Sequence, residues 1–292
     1  MRNIFSLMLS VFVFIAVGAA ASADQFSAAD ENDPARLILS DTDSIYSEIT
    51  SFTYEENSHE YVAEIYLENR SSDSIEFGAE KIGVCGFISD AYCYDVLAGN
   101  RRCITYLEIN ADSLQQLDIS PDEISFTFYV NKTENGSSTP LISKDVLYYP
   151  TGKTSKEIER KDLKDFLYSQ YEMENDFLRF KEIDAKWTDN EEFYEIDFAI
   201  HNKCPFDYII STGNLNINYS PADSYMFCYV PAGMNALAHI WIPKESFDSL
   251  GTYEVDTVSF TLLLYDDTEA YRTGSNTIPF FAYPIYFQPA KG

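Results

Sequence analysis

Positive charge is scarce in this chain. Its 20 Lys and Arg stand against 47 Asp and Glu, a formal net charge of −27 over 292 residues. A nucleic acid or an anionic membrane surface needs a basic patch, so neither is an expected partner. Histidine is scarcer still. His59, His201 and His239 are the three present, none has a second His or Cys at metal-ligand spacing, and no His-Glu-x-x-His occurs. Glycine is thin, at 12 scattered residues, and forms no phosphate-binding loop. No Gly-x-Ser-x-Gly is present, nor a Ser-x-x-Lys in the company that chemistry requires. Carboxylates are so numerous that a chance pair carries no information about glycoside chemistry. Acidic groups such as Asp41, Asp43 and Asp266 lack the ligand spacing of a calcium loop and read as solvated loop charge. The chain therefore reads as a non-enzyme, with no catalytic residue, no metal site and no cofactor.

Long apolar runs are also few. One, Ile4–Ala21, follows Met1-Arg-Asn and precedes Ala21-Ser-Ala23, the layout of a cleaved signal peptide over residues 1–23. No second run is long enough to span a bilayer as a helix. The expectation is an exported, secreted or extracellular protein without stable membrane insertion, beginning with a flexible polar leader at residues 24–36.

What is abundant is aromatic: 22 Tyr and 21 Phe, within 46% hydrophobic residues, ample for packed cores. The chain also repeats itself. Ile124-Ser-Phe-Thr-Phe-Tyr-Val130 returns as Val258-Ser-Phe-Thr-Leu-Leu-Leu264, each copy behind an acidic residue, Asp122 or Asp256. Both alternate with period two and read as strands. Upstream, Tyr61, Ala63, Ile65 and Leu67 alternate with glutamates, and Tyr194, Ile196, Phe198 and Ile200 repeat the pattern; Asn69 and Asn202 close the two strands. Tyr92–Gly99 matches Met226–Gly233 through a shared Val-x-Ala-Gly, in which Gly99 and Gly233 are expected to take a positive φ. Strands follow at Arg102–Ile109 and Asn235–Ile242, then a helical turn at Asp112–Leu117 and at Pro243–Leu250. Polar loops at Asn131–Thr139 and Asp266–Asn276 lead to final strands ending near Tyr149-Pro150 and Tyr283-Pro284. The offset stays at 133 to 134 residues throughout.

A period this long means two whole domains in tandem. Roughly seven short strands per copy read as an immunoglobulin-like β-sandwich. The fold expected is all-β: a first sandwich at residues 37–150, a second at 168–292, and a linker at 151–167. In the linker, Thr154-Ser-Lys-Glu157 has capping-box form, and Ile158, Leu163, Phe166 and Leu167 suggest a short helix.

The order of Asn69 after an alternating strand, Val96-x-Ala-Gly99, a short acidic turn and Ile124-x-Phe-Thr-Phe128 resembles an immunoglobulin-like repeat. Such repeats occur in uncharacterised secreted proteins and lipoproteins of Gram-positive gut bacteria. The likeness covers roughly residues 40–150 and 170–285. It implies architecture, with no enzyme and no known ligand, and this chain lacks the lipid-bearing cysteine of the lipoprotein members.

Five cysteines, Cys85, Cys93, Cys103, Cys204 and Cys228, do not match between the halves and read mostly as small buried hydrophobes. Cys93 and Cys103 flank a turn and are candidates for one local disulfide. The aromatic strands supply the candidate binding residues: Tyr92 and Tyr94 in the first copy, Tyr225, Phe227 and Tyr229 in the second. Rings so placed either pack a core and edge or meet a ligand. The expected function is a secreted, non-catalytic binding protein for an unknown protein partner; the alternative is a glycan, held by the aromatic strand. Four Asn-x-Ser/Thr sequons stand at Asn69, Asn131, Asn135 and Asn218.

Overall fold

The computed structural model describes residues 34–289 except 90, 135–136, 161–162, 164–170, 189 and 267–277. The expected signal peptide, most of the leader, the second polar loop, and Phe166 and Leu167 of the linker lie outside the described residues. Two β-sandwiches follow one another, as the repeat implied. In the first, β1 (Leu37–Asp41), β2 (Ile45–Glu55), β3 (Glu60–Asn69), β8 (Arg101–Asn110) and β6 (Ala91–Tyr92) make one sheet. It packs on β10 (Ser137–Tyr148), β9 (Ile124–Glu134), β4 (Ser74–Val84) and β7 (Tyr94–Leu97). In the second, β11 (Glu172–Glu174), β12 (Leu178–Trp187), β13 (Phe193–Asn202) and β17 (Asn235–Pro243) face a second layer. That layer holds β15 (Ser220–Pro221), β14 (Tyr208–Ile217), β16 (Phe227–Val230), β18 (Val258–Tyr265) and β19 (Phe281–Phe287).

The alternation in the sequence is the cause of the layering. Ile124, Phe126, Phe128 and Val130 are buried on β9, and Val258, Phe260, Leu262 and Leu264 on β18, with polar or partly exposed residues between. Each row of alternate side chains has to leave water, and two rows facing one another fill a sandwich core. The halves keep separate cores, one around Phe77 and Phe128, the other around Phe180 and Phe198, whose rings stack 4.4 Å apart. The helical turns appear as α1 (Asp112–Gln116) and α2 (Lys244–Leu250), the latter stopped by Gly251 at φ 70°.

The halves also share a sheet. β5 (Phe87–Ile88) pairs antiparallel with β4 and parallel with Asn235 and Ala236 of β17, so one hydrogen-bonded ladder crosses from sandwich to sandwich. Lys81 Nζ lies 2.8 Å from Asp207 Oδ2 across the junction, and Ala199, Ile183 and Leu237 of the second sandwich pack on the first core. The stretch between the sandwiches turns back on the first of them. Lys153 and Thr151 reach Asp122 at 2.7 and 2.8 Å, and Arg160 pairs with Glu123. Thr154 N donates to the Glu157 carboxylate, one half of a capping box, but Thr154 Oγ1 donates to that carboxylate too and Glu157 N bonds the Thr154 carbonyl, and residues 154–160 form a turn and irregular chain in place of the expected helix. Ile158 and Leu163 go into the first core instead of lining a helix face. Most of the expected loop at 131–139 is ladder too, since β9 runs to Glu134 and β10 starts at Ser137.

Where the chain leaves one layer for the other, the same asparagine recurs. Asn69, 1% exposed, donates from Nδ2 to the carbonyls of Asp73, Leu97 and Ala98 at 2.8–3.3 Å and accepts from Ser71 N and Oγ at 3.0 and 2.7 Å. Asn202, fully buried, donates to Phe206 O and Val230 O at 3.0 and 2.9 Å and accepts from Cys204 N at 2.8 Å. The shared contact makes Leu97 the equivalent of Val230, an offset of 133, and so corrects the Val-x-Ala-Gly alignment by one residue. Val96 is exposed whereas Val230 is buried. Gly233, at φ 72°, then corresponds to Asn100 at φ 56°. Gly99 is not in a left-handed conformation; it is needed because a Cβ there would sit 2.2 Å from the carbonyl oxygen of Ser72.

Two stability series check this. Asn69→Ala and Asn202→Ala each strand several buried backbone groups, and urea unfolding should show a loss of about 2–4 kcal/mol for either. Gly99→Ala forces backbone apart and should cost about 3 kcal/mol, against about 1 kcal/mol for Gly233→Ala, where the Cβ meets open space and only the φ is strained.

Candidate functional site

The strand before each turn changes layer in mid-course, and this separates the candidate aromatics. Tyr92 lies on β6, paired with Glu108 of β8, while Tyr94 lies on β7, paired with Gly78 of β4. Tyr225 bridges to Trp241 on β17, while Phe227 and Tyr229 lie on β16 against β14. The five residues therefore form no continuous strand platform. The same switch removes the expected hairpin between Cys93 and Cys103. Ala91 and Tyr92 pair with Ile109 and Glu108, whereas Cys103 pairs with Leu67, and both thiols are free. Burial pushes Cys93 up to about 12 and Cys103 up to about 11, so both stay protonated and unreactive at neutral pH.

Phe227 and Tyr229 do belong to a surface of another kind. Cys228 and Val230 point into the second core, so Phe227 and Tyr229 point outward. The register sets Phe227 beside Ser211, Leu263 and Ala282, and Tyr229 beside Ile209 and Tyr265. Gly213, Thr261 and Pro284 form the next row, and Asn216, Ser259 and Tyr286 the last. None of these residues is charged. Phe227 is 50% exposed, and Tyr286 is also exposed, its ring stacked 6.3 Å from that of Tyr219. Among the described residues, charge returns beside this face at Asp207, whose carboxylate accepts from the Tyr229 hydroxyl. The corresponding face of the first sandwich differs: Tyr94, Val96 and Tyr129 share it with Glu76, Glu80 and Asp145.

A second arrangement was invisible along the chain. The outward residues Glu195 and Asp197 of β13 stand opposite Trp241 and His239 of β17. His239 Nδ1 lies 2.7 Å from Asp197 Oδ1 and 3.0 Å from Glu195 Oε1. Trp241 Nε1 donates to Glu195 Oε1 at 2.9 Å and stacks on the imidazole. Gln116 of α1, in the first sandwich, donates to the other oxygen of Asp197 at 2.6 Å. Burial opposes charge on His239, but hydrogen bonds to Asp197 and Glu195 outweigh it and raise its pKa from 6.5 to about 9. The hydrogen bond from His239 holds the Glu195 carboxyl below its ordinary range. Among the described residues these three also bring their ligand atoms within 4.8 Å of one another. The signal lay in two outward acidic positions on one strand and a histidine on its partner, legible only once the register is known. The other histidines differ: His59 meets Asp112 at the surface, and His201 Nδ1 contacts Asn235 Oδ1 at 2.8 Å.

The sequons are mostly occupied by structure. Asn69 and Asn131 are buried, Asn218 is bonded to Glu254, Asp256 and Thr257, and Asn135 lies outside the described residues.

No known protein-family profile matches the chain, and no curated protein does. Solved structures similar to it include the YadV chaperone, 11% identical, covering 83% of this chain and 100% of that one at a TM-score of 0.26. A protein of unknown function from Porphyromonas gingivalis W83 is 10% identical over 83% and 99% of the two chains, TM-score 0.22. A chain of the Salmonella enterica SafA pilin–SafB chaperone complex is 9% identical over 85% and 98%, TM-score 0.24. Superposition this loose leaves the immunoglobulin-like assignment resting on the strand pairing of the chain itself.

The His239 arrangement has a pH signature. Its folded-state pKa is raised, so its contribution to stability is present in full below about 6.5 and is lost as pH rises through about 9. With EDTA present, the melting temperature of the wild type should fall across that window more steeply than that of His239→Gln. Parallel curves would show that the imidazole carries no charge there.

Proposed function

We propose that this chain is an exported, non-catalytic binding protein that presents the outer face of the β16–β14–β18–β19 sheet to a protein partner. One observation carries the reading: a whole sheet face without a charged residue, on a chain with 47 carboxylates. An uncharged face of alternating aromatic, aliphatic and hydroxyl side chains, with acid at its margins, suits a partner with an apolar centre and a basic rim. Steering by the net charge of −27 would speed such an encounter and make it sensitive to salt. The resemblance to secreted repeat proteins and the apolar N-terminal run support export. No helix among the described residues is long and apolar enough to cross a membrane.

The glycan reading keeps one specific support, the exposed Tyr219–Tyr286 pair, whose hydroxyls are 2.9 Å apart beside the same face. Tyr92, Tyr94 and Tyr225 do not contribute to that face.

The test compares the wild type with a Phe227→Asp/Leu263→Asp variant, and with Val96→Asp on the corresponding face of the first sandwich. All three should fold, because the altered side chains point away from both cores. Binding to a discrete extracellular protein should be saturable, weaken as salt is raised, and fall at least tenfold in the double variant alone. Equal binding by all three proteins would overturn the reading. Specific glycan-array binding abolished by Tyr286→Ala would replace it with the carbohydrate reading.

A further inference from the structure

We propose that Glu195, Asp197 and His239 form a site for a divalent transition ion of the zinc class, set into the second sandwich beside the inter-domain junction. The ligand atoms Glu195 Oε1, Asp197 Oδ1 and His239 Nδ1 converge from two neighbouring strands, all within 4.8 Å of one another. One imidazole and two carboxylates are a donor set that zinc accepts with three protein ligands and an open position for water. Calcium wants six to eight oxygens and magnesium a hydrated octahedron, so the nitrogen selects against both.

The surroundings are built as a ligand shell. Gln116 fixes Asp197 through its second oxygen, leaving Oδ1 turned to the imidazole, and the Trp241 indole fixes Glu195. Partners of this kind orient first ligands and commonly matter tenfold or more to affinity. Asp197 is 2% exposed, while the His239 and Glu195 side chains remain within reach of solvent at 21% and 18%. An ion therefore has a buried anchor and a way in. In the described geometry a proton on Nδ1 occupies the place of the ion, shared between the two carboxylates. Binding exchanges them: the Nδ1–H bond breaks, its proton goes to solvent, and the freed lone pair takes the metal. Ligands about 2.0–2.1 Å from a tetrahedral zinc stand roughly 3.3 Å apart, so each carboxylate oxygen retreats about half an ångström from Nδ1, and the two, within 4.8 Å of one another, settle to the same spacing.

The experiment is a Co²⁺ titration of the EDTA-stripped full chain, read by visible absorption, with Zn²⁺ as competitor. One equivalent should give the intense d–d bands of a low-coordinate site, displaced by zinc. His239→Ala and Glu195→Gln should abolish the bands, Gln116→Ala should weaken binding about tenfold, and His201→Ala should leave it unchanged. Glu195→Gln, a near-isosteric change at a partly exposed position, serves if His239→Ala fails to fold. Weak, pale, many-equivalent binding, the mark of an octahedral ion on scattered carboxylates, would overturn the proposal. So would bands that persist in a folded Glu195→Gln.

Discussion

At the end of β3, and again at the end of β13, an asparagine amide is buried where the chain leaves one layer of its sandwich for the other. The corner has few alternatives. The turn after the strand and the strand that later crosses behind it, β7 or β16, both leave carbonyls pointing inward, and water does not reach them. A single side chain with a donor and an acceptor at its tip satisfies both segments at once. An aspartate has no donor for the carbonyls, and a glutamine is a methylene too long. The asparagine thus ties together pieces 28 residues apart in each half. The layer switch that separates Tyr92 from Tyr94 and Tyr225 from Phe227 leads into that tie.

The two halves use a shared scaffold differently. In the second sandwich the outer side of β13 and β17 is divided along its length. At Ala199 and Leu237 it is apolar and docks on the first core; at Glu195, Asp197, His239 and Trp241 it is polar and partly open. The boundary between these regions is crossed by Gln116, so the position of Asp197 depends on the first sandwich. The other sheet carries the uncharged face, where Phe227, Ala282, Pro284 and Tyr286 are exposed and Ile209 is buried. The first sandwich has no such face, because Glu76 is bonded there to Asn131 and Ser138, and Asp145 to Thr127.

Much of the fold was legible because it depends on alternation, a local property. The strands at 60–69, 124–134, 193–202 and 258–265 fall where period two placed them, and the helix that Gly251 ends falls within the expected 243–250. What was not legible depends on register. Val-x-Ala-Gly in both halves looks like one motif, yet the buried asparagine aligns Leu97 with Val230, and a slip of one residue turns every side chain to the other face. The two glycines are alike in letter and different in cause: one avoids the Ser72 carbonyl, the other accepts a left-handed turn. The capping box at Thr154 formed only in part, through the bond from Thr154 N to Glu157. A helix did not follow over 154–160, because Asp122 and Glu123 draw Lys153 and Arg160 back onto the first sandwich. Tertiary ion pairs there outcompete a weak local preference.

The acidity of the chain gives both proposed sites a common physical background. A surface this negative raises the local concentration of small cations and of basic partners alike, so charge alone confers no selectivity. Selectivity has to come from places that depart from the background. On β16–β14–β18–β19 the departure is the loss of charge, so that contact there depends on shape and apolar area. Between β13 and β17 it is the arrival of an imidazole among carboxylates, which turns a diffuse preference for cations into a nitrogen ligand at a defined point. Both departures lie in the second copy. The first has Glu76 where the second has Ile209, Val62 where it has Glu195, and Tyr106 where it has His239, so neither arrangement can form there. The two copies share a frame, and both proposed sites rest on outward residues in which the second differs from the first.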